Sequence, residues 1–341
     1  MTVPKISSQD LPSIPCNLCG SKEVSILATL SRRGEPLRSV ICSKCGLVWS
    51  DPLPSNLHNF YENDYRVSYK GNYSPKLKHI LRAGNVALSR HRQIERLLAT
   101  PLTVLDVGSG GGEFSYLLET LGHHVTGIEP NKGYAEYSIR EYGLTVQVGF
   151  VQDIIIPQQS FDLITIWHVL EHTEDPFAVL TKLHSLLKPQ GIVVVEVPNI
   201  EAKCQSPKST FHEAHIFHFN IASLKRLAEK VGFIEINHLI SADGGNITLF
   251  LQKTIKEVNG LDEFTILGNA EKISKIVTDH TPLKHYLTTY PYIRLFSRLR
   301  QYCFEERNIK NFNGGKQLLD HQYAHLHNQG INPSANREEE Q

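Results

Sequence analysis

The stretch of sequence that decides the fold is Val104-Leu-Asp106-Val-Gly108-Ser-Gly110-Gly-Gly112. A short apolar run leads into it, and apolar residues at helical spacing follow it directly. Glycine lets the backbone bend sharply and approach a ligand that a Cβ atom would keep away. We therefore expect a strand, a turn and a helix in that order, with Gly108, Gly110 and Gly112 contacting a ligand at the carboxyl end of the strand.

Three acids around this turn indicate which ligand it binds. Asp106 stands before the first glycine, Glu129 ends the next predicted strand, and Asp153 follows the third. A dinucleotide would bring its pyrophosphate close to Asp106, whereas a cationic amino group suits a carboxylate at that position. Glu129 can accept hydrogen bonds from both hydroxyls of a ribose, and Asp153 can accept one from an adenine amine. A ribose, an adenine and a cationic amino acid without phosphate describe S-adenosylmethionine.

Strands and helices alternate along the chain around this turn. Short apolar runs predict strands at Thr103–Val107, Val125–Glu129, Thr145–Val148, Phe161–Trp167 and Ile192–Val197. Apolar residues at helical spacing predict helices at 76–99, Glu113–Leu121, Tyr134–Tyr142, Pro176–Leu187 and Ile221–Val231. Such alternation indicates βαβ units and a parallel sheet. Two further strands, at about Ile234–Ile240 and Ile247–Gln252, are joined through Asp243-Gly-Gly245, and this hairpin would make the last strand antiparallel.

The motifs of residues 103–253 resemble those of class I S-adenosylmethionine-dependent methyltransferases. They are D-V-G-S-G-G-G at 106–112, the acid Glu129, F-D-L-I-T-I-W-H-V-L-E-H at 161–172 and L-L-K-P-Q-G-I-V-V-V-E-V-P-N at 186–199. The resemblance implies an α/β fold with a Rossmann-like, seven-stranded sheet in the order 3-2-1-4-5-7-6, the last strand being antiparallel. It also implies that Asp106 and Gly108 lie near the methionine part of the cofactor, and Trp167 and His168 beside the sulfonium and the substrate.

Four of the six cysteines form two C-x-x-C-G motifs, Cys16-Asn-Leu-Cys19-Gly20 and Cys42-Ser-Lys-Cys45-Gly46. A two-residue spacer turns both sulfurs of a pair toward one metal ion, and the glycine permits the tight turn. Two such pairs complete a tetrahedral Zn²⁺ site, which is saturated and therefore structural. Two disulfides or a redox pair are the alternatives. A reducing compartment disfavours disulfides, and two matched pairs fit redox chemistry poorly.

Composition and motifs divide the chain into five predicted parts. These are a zinc ribbon at 1–50, a tyrosine-rich linker and helix at 51–99, a cofactor-binding core at 100–253, a helical C-terminal region at 254–330 and a disordered tail at 331–341. The C-terminal region can cover the acceptor pocket or pair two subunits into a homodimer, and its composition does not choose between these roles.

A second resemblance concerns the acceptor. The zinc module, the tyrosines of 61–73 and the stretch Phe211-His-Glu-Ala-His-Ile-Phe-His-Phe219 resemble the zinc-containing sugar C-methyltransferases, in which a Glu-His pair removes a proton next to a ketone. Here His215 matches the family's histidine, but Ala214 replaces the acid, and the chain after the sheet is too short for the family's second α/β domain. We therefore expect a sugar, a nucleotide sugar or a related small polar metabolite as acceptor, with O-methylation ahead of C-methylation.

A hydroxyl acceptor must lose a proton, and histidine suits that task because its ordinary pKa lies near 6.5. The candidate bases are His215, our first choice, and His172, His212 and His218. The histidines of 212–218 could instead cap backbone groups or bind a metal ion, and we disfavour the metal because only Glu213 adds a carboxylate. Tyr61 is a further candidate as part of a lid over the acceptor, although packing is the commoner role of such a residue.

The charge balance bears on partners and location. The chain has 35 Lys+Arg and 35 Asp+Glu, so it has no overall field that would attract nucleic acid or an anionic membrane. No apolar run reaches the length of a membrane span, and the first residues lack a signal-peptide hydrophobic region. We expect a soluble, cytoplasmic enzyme. A zinc-ribbon RNA methyltransferase is disfavoured because no aromatic residue lies between Cys16 and Cys45, and a non-catalytic scaffold is disfavoured by the intact acids of the glycine-rich turn.

Overall fold

The computed structural model describes residues 13–53, 75–254 and 264–330. Tyr61, the other tyrosines of 61–73 and the predicted tail at 331–341 lie outside the described residues. The chain divides into two compact units. One contains the described parts of residues 1–57 and 155–297, and the other contains the described parts of residues 58–154 and 298–341.

The strands and helices are numbered here in chain order. The strands are β1 (Val24–Leu30), β2 (Pro36–Cys42), β3 (Val48–Ser50), β4 (Thr103–Val107), β5 (His124–Glu129), β6 (Thr145–Val148), β7 (Phe161–Trp167), β8 (Leu187–Pro198), β9 (Phe217–His218), β10 (Phe233–Ile240) and β11 (Asn246–Lys253). The helices are α1 (Leu77–Ile94), α2 (Glu113–Thr120), α3 (Lys132–Tyr142), α4 (Pro176–Leu186), α5 (Ile221–Val231), α6 (Asn269–Asp279), α7 (Pro282–Tyr286), α8 (Tyr290–Ile309) and α9 (Gly315–Gly330).

The larger sheet confirms the predicted topology. Its seven strands follow the order β10-β11-β8-β7-β4-β5-β6. Strands β4, β5 and β6 pair in parallel, as do β7 and β8, whereas β11 is antiparallel to both β8 and β10. Counted within this sheet alone and read from the β6 edge, the order is 3-2-1-4-5-7-6 with the last strand antiparallel, as in the sequence-based prediction.

Local sequence explains where several helices begin. The side chain of Asn131 accepts a hydrogen bond from the backbone N–H of Tyr134 at the start of α3, and Asp175 does the same for Ala178 at the start of α4. At the start of α5, Asn220 and Ser223 cap each other's backbone. Such side chains satisfy N–H groups that have no partner within the helix. These three helices therefore begin where a local side chain satisfies the first backbone N–H groups.

Two element bounds differ from the prediction by more than two residues. Strand β8 begins at Leu187 rather than Ile192, because Leu187 already pairs with Phe161 of β7 across an irregularity in the register. Helix α1 ends at Ile94, and a 3-10 turn at Glu95–Leu97 replaces the last predicted residues of the helix. Neither change moves a candidate site residue to another element.

The smaller sheet has the order β1-β2-β3-β9, and all of its pairs are antiparallel. Strand β9 has only two residues: Phe217 pairs with Trp49, and His218 pairs with Val48. The cysteine module therefore shares a sheet with the histidine-rich segment 212–218, although the two are far apart in sequence. The sequence did not predict this pairing.

Helices α6 to α9 confirm that the region after the larger sheet is helical. In the unit that contains α1 and α9, the two helices pack closely at Gly84, where an added Cβ atom would lie 2.9 Å from Cδ2 of Leu319. Arg82 of α1 forms an ion pair with Glu305 of α8. Among the residues that the structure describes, no helix combines the length and the apolar character needed to cross a membrane.

Candidate functional site

The four cysteines of the two C-x-x-C-G motifs come together as predicted. The Sγ atoms of Cys16 and Cys45 are 3.4 Å apart, as are those of Cys19 and Cys42, and all four lie within 4.8 Å of one another. In a tetrahedral site with Zn–S bonds of about 2.3 Å, sulfurs are about 3.8 Å apart. The cluster is therefore close to the geometry that one Zn²⁺ ion requires.

Backbone turns and side chains from the same unit hold the cysteine motifs. Gly20 and Gly46 have φ near +72° and +75°, and their N–H groups donate to the carbonyls of Cys16 and Cys42. The amide of Asn269 donates to the carbonyl of Cys45 at 2.8 Å. Lys230 donates to the carbonyl of Leu18 at 2.9 Å. Hydrogen bonds from within the two motifs and from other parts of the unit therefore hold the backbone that carries the four cysteines.

The glycine-rich turn after β4 has the conformation that its sequence predicts. Gly108, Gly110 and Gly112 have φ of 75°, 61° and 87°, a region that residues with a Cβ atom rarely adopt. The N–H groups of Gly108 and Ser109 both donate to the carbonyl of Ile128 in β5, at 2.8 and 3.0 Å. The turn is therefore fixed against the neighbouring strand.

The two acids of this region are buried and held by defined partners. Glu129 accepts hydrogen bonds from the N–H of Gly110 at 2.8 Å and from the N–H of Asn131 at 3.0 Å, one on each carboxylate oxygen. Asp106 accepts one from the hydroxyl of Ser115 at 2.7 Å. Each carboxylate oxygen has two lone pairs and can accept more than one hydrogen bond. The structure brings Asp106, Glu129 and the glycines together in one unit.

The third predicted acid of the cofactor site, Asp153, is exposed, unlike Asp106 and Glu129. It lies on the turn that follows β6, and its backbone N–H donates to the carbonyl of Phe150. Its proposed contact with adenine stays a prediction. Trp167, the last residue of β7, is buried, and its proposed place beside the sulfonium also stays a prediction.

In the other unit, His168 lies directly after β7 and binds two carboxylates. Its Nδ1 is 3.2 Å from Oε1 of Glu171, and its Nε2 is 3.2 Å from Oε1 of Glu196. Burial alone would lower the pKa of His168, but the hydrogen bonds to Glu171 and Glu196 outweigh it and raise the pKa to about 9. His168 also has φ of 54°, an uncommon conformation for a residue with a Cβ atom. The ring is therefore a cation at neutral pH, fixed between two acids.

Hydrogen bonds to Ala214 define the protonation of two other histidines. Nδ1 of His172 lies 2.6 Å from the carbonyl of Ala214, and since a carbonyl only accepts, this nitrogen donates. Nδ1 of His212 instead accepts from the N–H of Ala214 at 3.2 Å. Burial lowers the pKa of His212 to about 4. Neutral His212 therefore carries its proton on Nε2.

His215 lies between these two rings, with centroid separations of 4.8 Å to His172 and 3.8 Å to His212. Burial and the neighbouring His172 hold the pKa of His215 well below its ordinary value. Burial also lowers the pKa of His218 to about 3. The four candidate bases thus form one cluster, and His212, His215 and His218 are uncharged at neutral pH.

Glu171 and Glu196 are site residues that the sequence analysis missed. Glu171 is 1 % exposed, and although its burial opposes ionisation, the nearby His172 and His168 hold its pKa below the ordinary value. Glu196 ends the apolar run of β8 and also accepts from the hydroxyl of Thr248 at 3.0 Å. The spacing of His168 and Glu171 on one turn was the available signal for the first acid.

Comparison with known proteins gives a family match for part of the chain. Residues 80–236, just under half of the chain, match the family described as a methyltransferase domain. The matched residues include the glycine-rich turn and the histidine cluster.

Relatives among curated proteins match a shorter stretch. A ubiquinone biosynthesis O-methyltransferase of Haemophilus ducreyi is 36 % identical over 107 residues, covering 28 % of this chain and 45 % of the relative. The enzyme of the same name from Cereibacter sphaeroides is 32 % identical over 127 residues, covering 34 % of this chain and 49 % of the relative. The chain spans about half the length of the curated relatives it matches.

Solved structures also resemble the chain. One is the Burkholderia thailandensis 1,6-didemethyltoxoflavin-N1-methyltransferase, with bound 1,6-didemethyltoxoflavin and S-adenosylhomocysteine. It is 17 % identical, with a TM-score of 0.43, and the match covers 63 % of this chain and 97 % of that one. Another is a methyltransferase from Thermotoga maritima described as a possible histamine N-methyltransferase, at 18 % identity and a TM-score of 0.43, covering 58 % and 98 % of the two chains.

Proposed function

We propose that this chain, whose residues 80–236 match a methyltransferase domain, transfers a methyl group from S-adenosylmethionine to a hydroxyl group of a small molecule. The observation that carries the proposal is the pair of buried carboxylates at the glycine-rich turn. Asp106 is 2 % exposed and Glu129 is 4 % exposed, and both are fixed by hydrogen bonds within their own unit.

These residues fit the proposed cofactor. The left-handed glycines allow a ligand to approach the backbone closely, and Glu129 offers two carboxylate oxygens at the end of β5 for a pair of ribose hydroxyls. Asp106 offers a negative charge to a cationic amino group, and Asp153 is our candidate for the adenine amine. When bound, S-adenosylmethionine supplies a methyl group already activated by a sulfonium. The chain then has to orient the acceptor and remove its proton.

We place the loss of the acceptor proton at the cluster of His172 and His215 beside Glu171. His212 fits this role less well, because its Nδ1 already accepts from Ala214 and its Nε2 carries the proton. His218 fits it less well, because it is buried within β9, where it pairs with Val48. Of the four candidate bases, we therefore keep His215, the first choice from the sequence, together with His172. Tyr61, outside the described residues, stays a candidate for a lid.

The acceptor class has two sources of support. The resemblance of the zinc module and of residues 211–219 to sugar C-methyltransferases favours a sugar or nucleotide sugar, and Ala214 in place of that family's acid favours attack by oxygen over attack by carbon. The curated relatives are named as O-methyltransferases of ubiquinone biosynthesis, which supports O-methylation as the reaction type. A hydroxylated small molecule is the acceptor that agrees with both.

We also propose that Cys16, Cys19, Cys42 and Cys45 bind a structural Zn²⁺ ion. Four thiolates saturate such an ion and leave no position for a substrate. The ion would stabilise the hairpin of β1 and β2 and, through β3, its pairing with β9. We further propose that the protein acts in the cytoplasm on a small molecule rather than on nucleic acid. The protein can act as a monomer or as a homodimer.

The proposal is tested with the full chain, methyl-labelled S-adenosylmethionine and pools of hydroxylated acceptors, namely sugars, nucleotide sugars and phenols. Label transfer to one pool, detected by mass spectrometry, supports the function and names the acceptor class. A parallel reaction in D₂O separates O-methylation from ketone-directed C-methylation, since only the second exchanges a C–H of the acceptor. Failure of S-adenosylmethionine to bind in calorimetry would refute the proposal in favour of a non-catalytic scaffold.

A further inference from the structure

Glu171, His172 and His215 have a shared geometry that general-base chemistry does not require. One carboxylate oxygen of Glu171 and one ring nitrogen of each histidine all lie within 4.8 Å of one another. Two imidazoles and one carboxylate are a donor set typical of divalent transition-metal ions. All three residues belong to the same unit of the chain.

The carboxylate of Glu171 supplies a second, independent observation. Its Oε1 accepts a hydrogen bond from His168 at 3.2 Å. Its Oε2 is fully buried, and among the residues that the structure describes it has no hydrogen-bond partner. An ionised oxygen in this situation is unfavourable unless a cation or a donor faces it. A metal ion bound by the two histidines and by Glu171 through Oε2 would satisfy it.

His172 is oriented as metal-bound histidines usually are. Its Nδ1 donates to the carbonyl of Ala214 at 2.6 Å, so Nε2 is the nitrogen that faces Glu171, 3.8 Å from Oε1. Metal-ligating histidines commonly donate their other ring N–H to a carbonyl or carboxylate, which fixes the ring. The ring of His168 contacts the same oxygen, Oε1 of Glu171, and joins it to Glu196, which holds the carboxylate in place.

We propose that Glu171, His172 and His215 bind one divalent transition-metal ion, separate from the four-cysteine site, and that the hydroxyl oxygen of the acceptor binds to this ion. A divalent ion lowers the pKa of a bound hydroxyl group, so the proton can leave to water and the oxygen becomes nucleophilic. The inference rests on the proposed function and deepens it, because it states how the histidine cluster acidifies the acceptor.

The test counts metal ions in the purified full chain after loading with Co²⁺ and dialysis. Elemental analysis should find two ions in the unmodified chain, one in Cys42→Ser and one in Glu171→Gln. His172→Asn should also retain one, and its amide can still donate to Ala214, which keeps the local fold. Glu235→Gln is the matched control, since Glu235 also contacts a histidine, with 2.7 Å to Nδ1 of His238, but lies on the surface strand β10. It should retain two ions.

The absorption spectrum of the Co²⁺-loaded chain identifies the two sites. The cysteine site should give sulfur-to-cobalt charge-transfer bands, which should disappear in Cys42→Ser. The site at Glu171 should give only ligand-field bands, and these should disappear in Glu171→Gln. A single ion that is lost in Cys42→Ser overturns the inference, and so does a Glu171→Gln chain that keeps both ions. Calorimetry with S-adenosylmethionine on the same samples tests the proposed function separately, because the ion count does not depend on cofactor binding.

Discussion

Glu129 joins the glycine-rich turn to the start of α3 through its side chain. One oxygen binds the N–H of Gly110 and the other binds the N–H of Asn131, the N-cap residue of α3. We predict that Glu129→Ala weakens S-adenosylmethionine binding, because hydrogen bonds to a charged group are worth about 1.5–3 kcal/mol. In calorimetry this corresponds to a roughly 10- to 100-fold rise in Kd.

The matched control for this substitution is Glu136→Ala in α3. Glu136 is an exposed acid that pairs with Lys132 at 3.7 Å, four residues earlier on the same helix. Its removal should leave the affinity for the cofactor unchanged. Equal Kd values for Glu129→Ala and the unmodified chain would remove Glu129 from the cofactor site.

His215 lies at the centre of the histidine cluster, where the acceptor is proposed to lose its proton. We predict that His215→Ala lowers kcat by at least 10²-fold, the usual contribution of a positioned acid or base, and leaves S-adenosylmethionine affinity unchanged. The comparison variant is His238→Ala, whose ring pairs with Glu235 on the exposed strand β10. A normal turnover rate in His215→Ala would place the chemistry at another residue.

The site residues that could be predicted are those that a local sequence pattern identifies. Asp106 and Glu129 stand next to a glycine turn and a strand end, so one local pattern places both. Glu171 and Glu196 were missed because their importance comes from contacts with His168, which joins the ends of two strands. The cysteines were found because their spacing alone defines a metal site.

At the scale of secondary-structure elements, the cysteine module and the histidine segment form one sheet. We predict that Cys42→Ser releases Zn²⁺ and exposes the amides of β1, β2 and β3 to hydrogen exchange. Because His218 and Phe217 pair with β3, the amides of segment 211–219 should exchange faster as well. S-adenosylmethionine binding should persist, since Asp106, the glycines and Glu129 belong to the other unit.

Mass spectrometry of deuterated peptides reads all of these segments in one experiment. Lys44→Ser is the control, because Lys44 lies between the two ligands of the second motif and its side chain is half exposed in a pair with Glu23. Protection of segment 211–219 in zinc-free Cys42→Ser would show that β9 does not depend on the module. Loss of cofactor binding would show that the chain unfolds as one cooperative whole.

The ion pair between Arg82 of α1 and Glu305 of α8 should make stability depend on pH. The hydrogen bond from Arg82 holds the pKa of Glu305 below its ordinary value. A lowered pKa of an acid adds stability above the ordinary value, and this stability is lost as the pH falls through the lowered one. We predict that Glu305→Gln lowers the free energy of unfolding by about 1 kcal/mol at pH 7.

Urea unfolding at pH 7 and at pH 3 checks this prediction, and the difference between Glu305→Gln and the unmodified chain should be smaller at the lower pH. The control is Glu136→Gln, which removes the more exposed pair between Lys132 and Glu136 within α3. An effect of Glu305→Gln that stays the same at both pH values would assign it to packing rather than to charge.

Strong local periodicity explains why most elements of the larger sheet were predicted to within two residues. Strands β4, β6 and β7 have the predicted bounds, as does helix α5. Strand β9 could not be predicted, because two residues carry no periodic pattern and its formation depends on the distant β3. Pairing between segments far apart in sequence leaves no local signal.

At the scale of the whole molecule, one segment exposes many large apolar side chains. They lie in α7, in α8 and between them, and they include Leu287 at 79 % exposure and Phe296 at 76 %. The chain also has no net charge and a pI of about 7.3, so little repulsion opposes association near neutral pH. We predict concentration-dependent self-association that is strongest near pH 7.

Sedimentation at several concentrations and pH values measures this association. Phe296→Glu should weaken it, because it places a charge within the apolar segment, and Val86→Glu, at an exposed position of α1, is the control. A chain that stays monomeric at pH 7 over the whole concentration range would contradict the prediction and favour the other role considered for the C-terminal helices, that of covering the pocket.

The pairing of β3 with β9 has a consequence for biosynthesis. Val48 finds its partner in His218, 170 residues later in the chain. On the ribosome, the cysteine hairpin emerges before β9 and can capture its metal ion, but the edge of β3 then stays open until residue 218 has been translated. An early supply of zinc should therefore favour correct maturation, and chains made during zinc starvation should be the ones that chaperones retain and proteases remove.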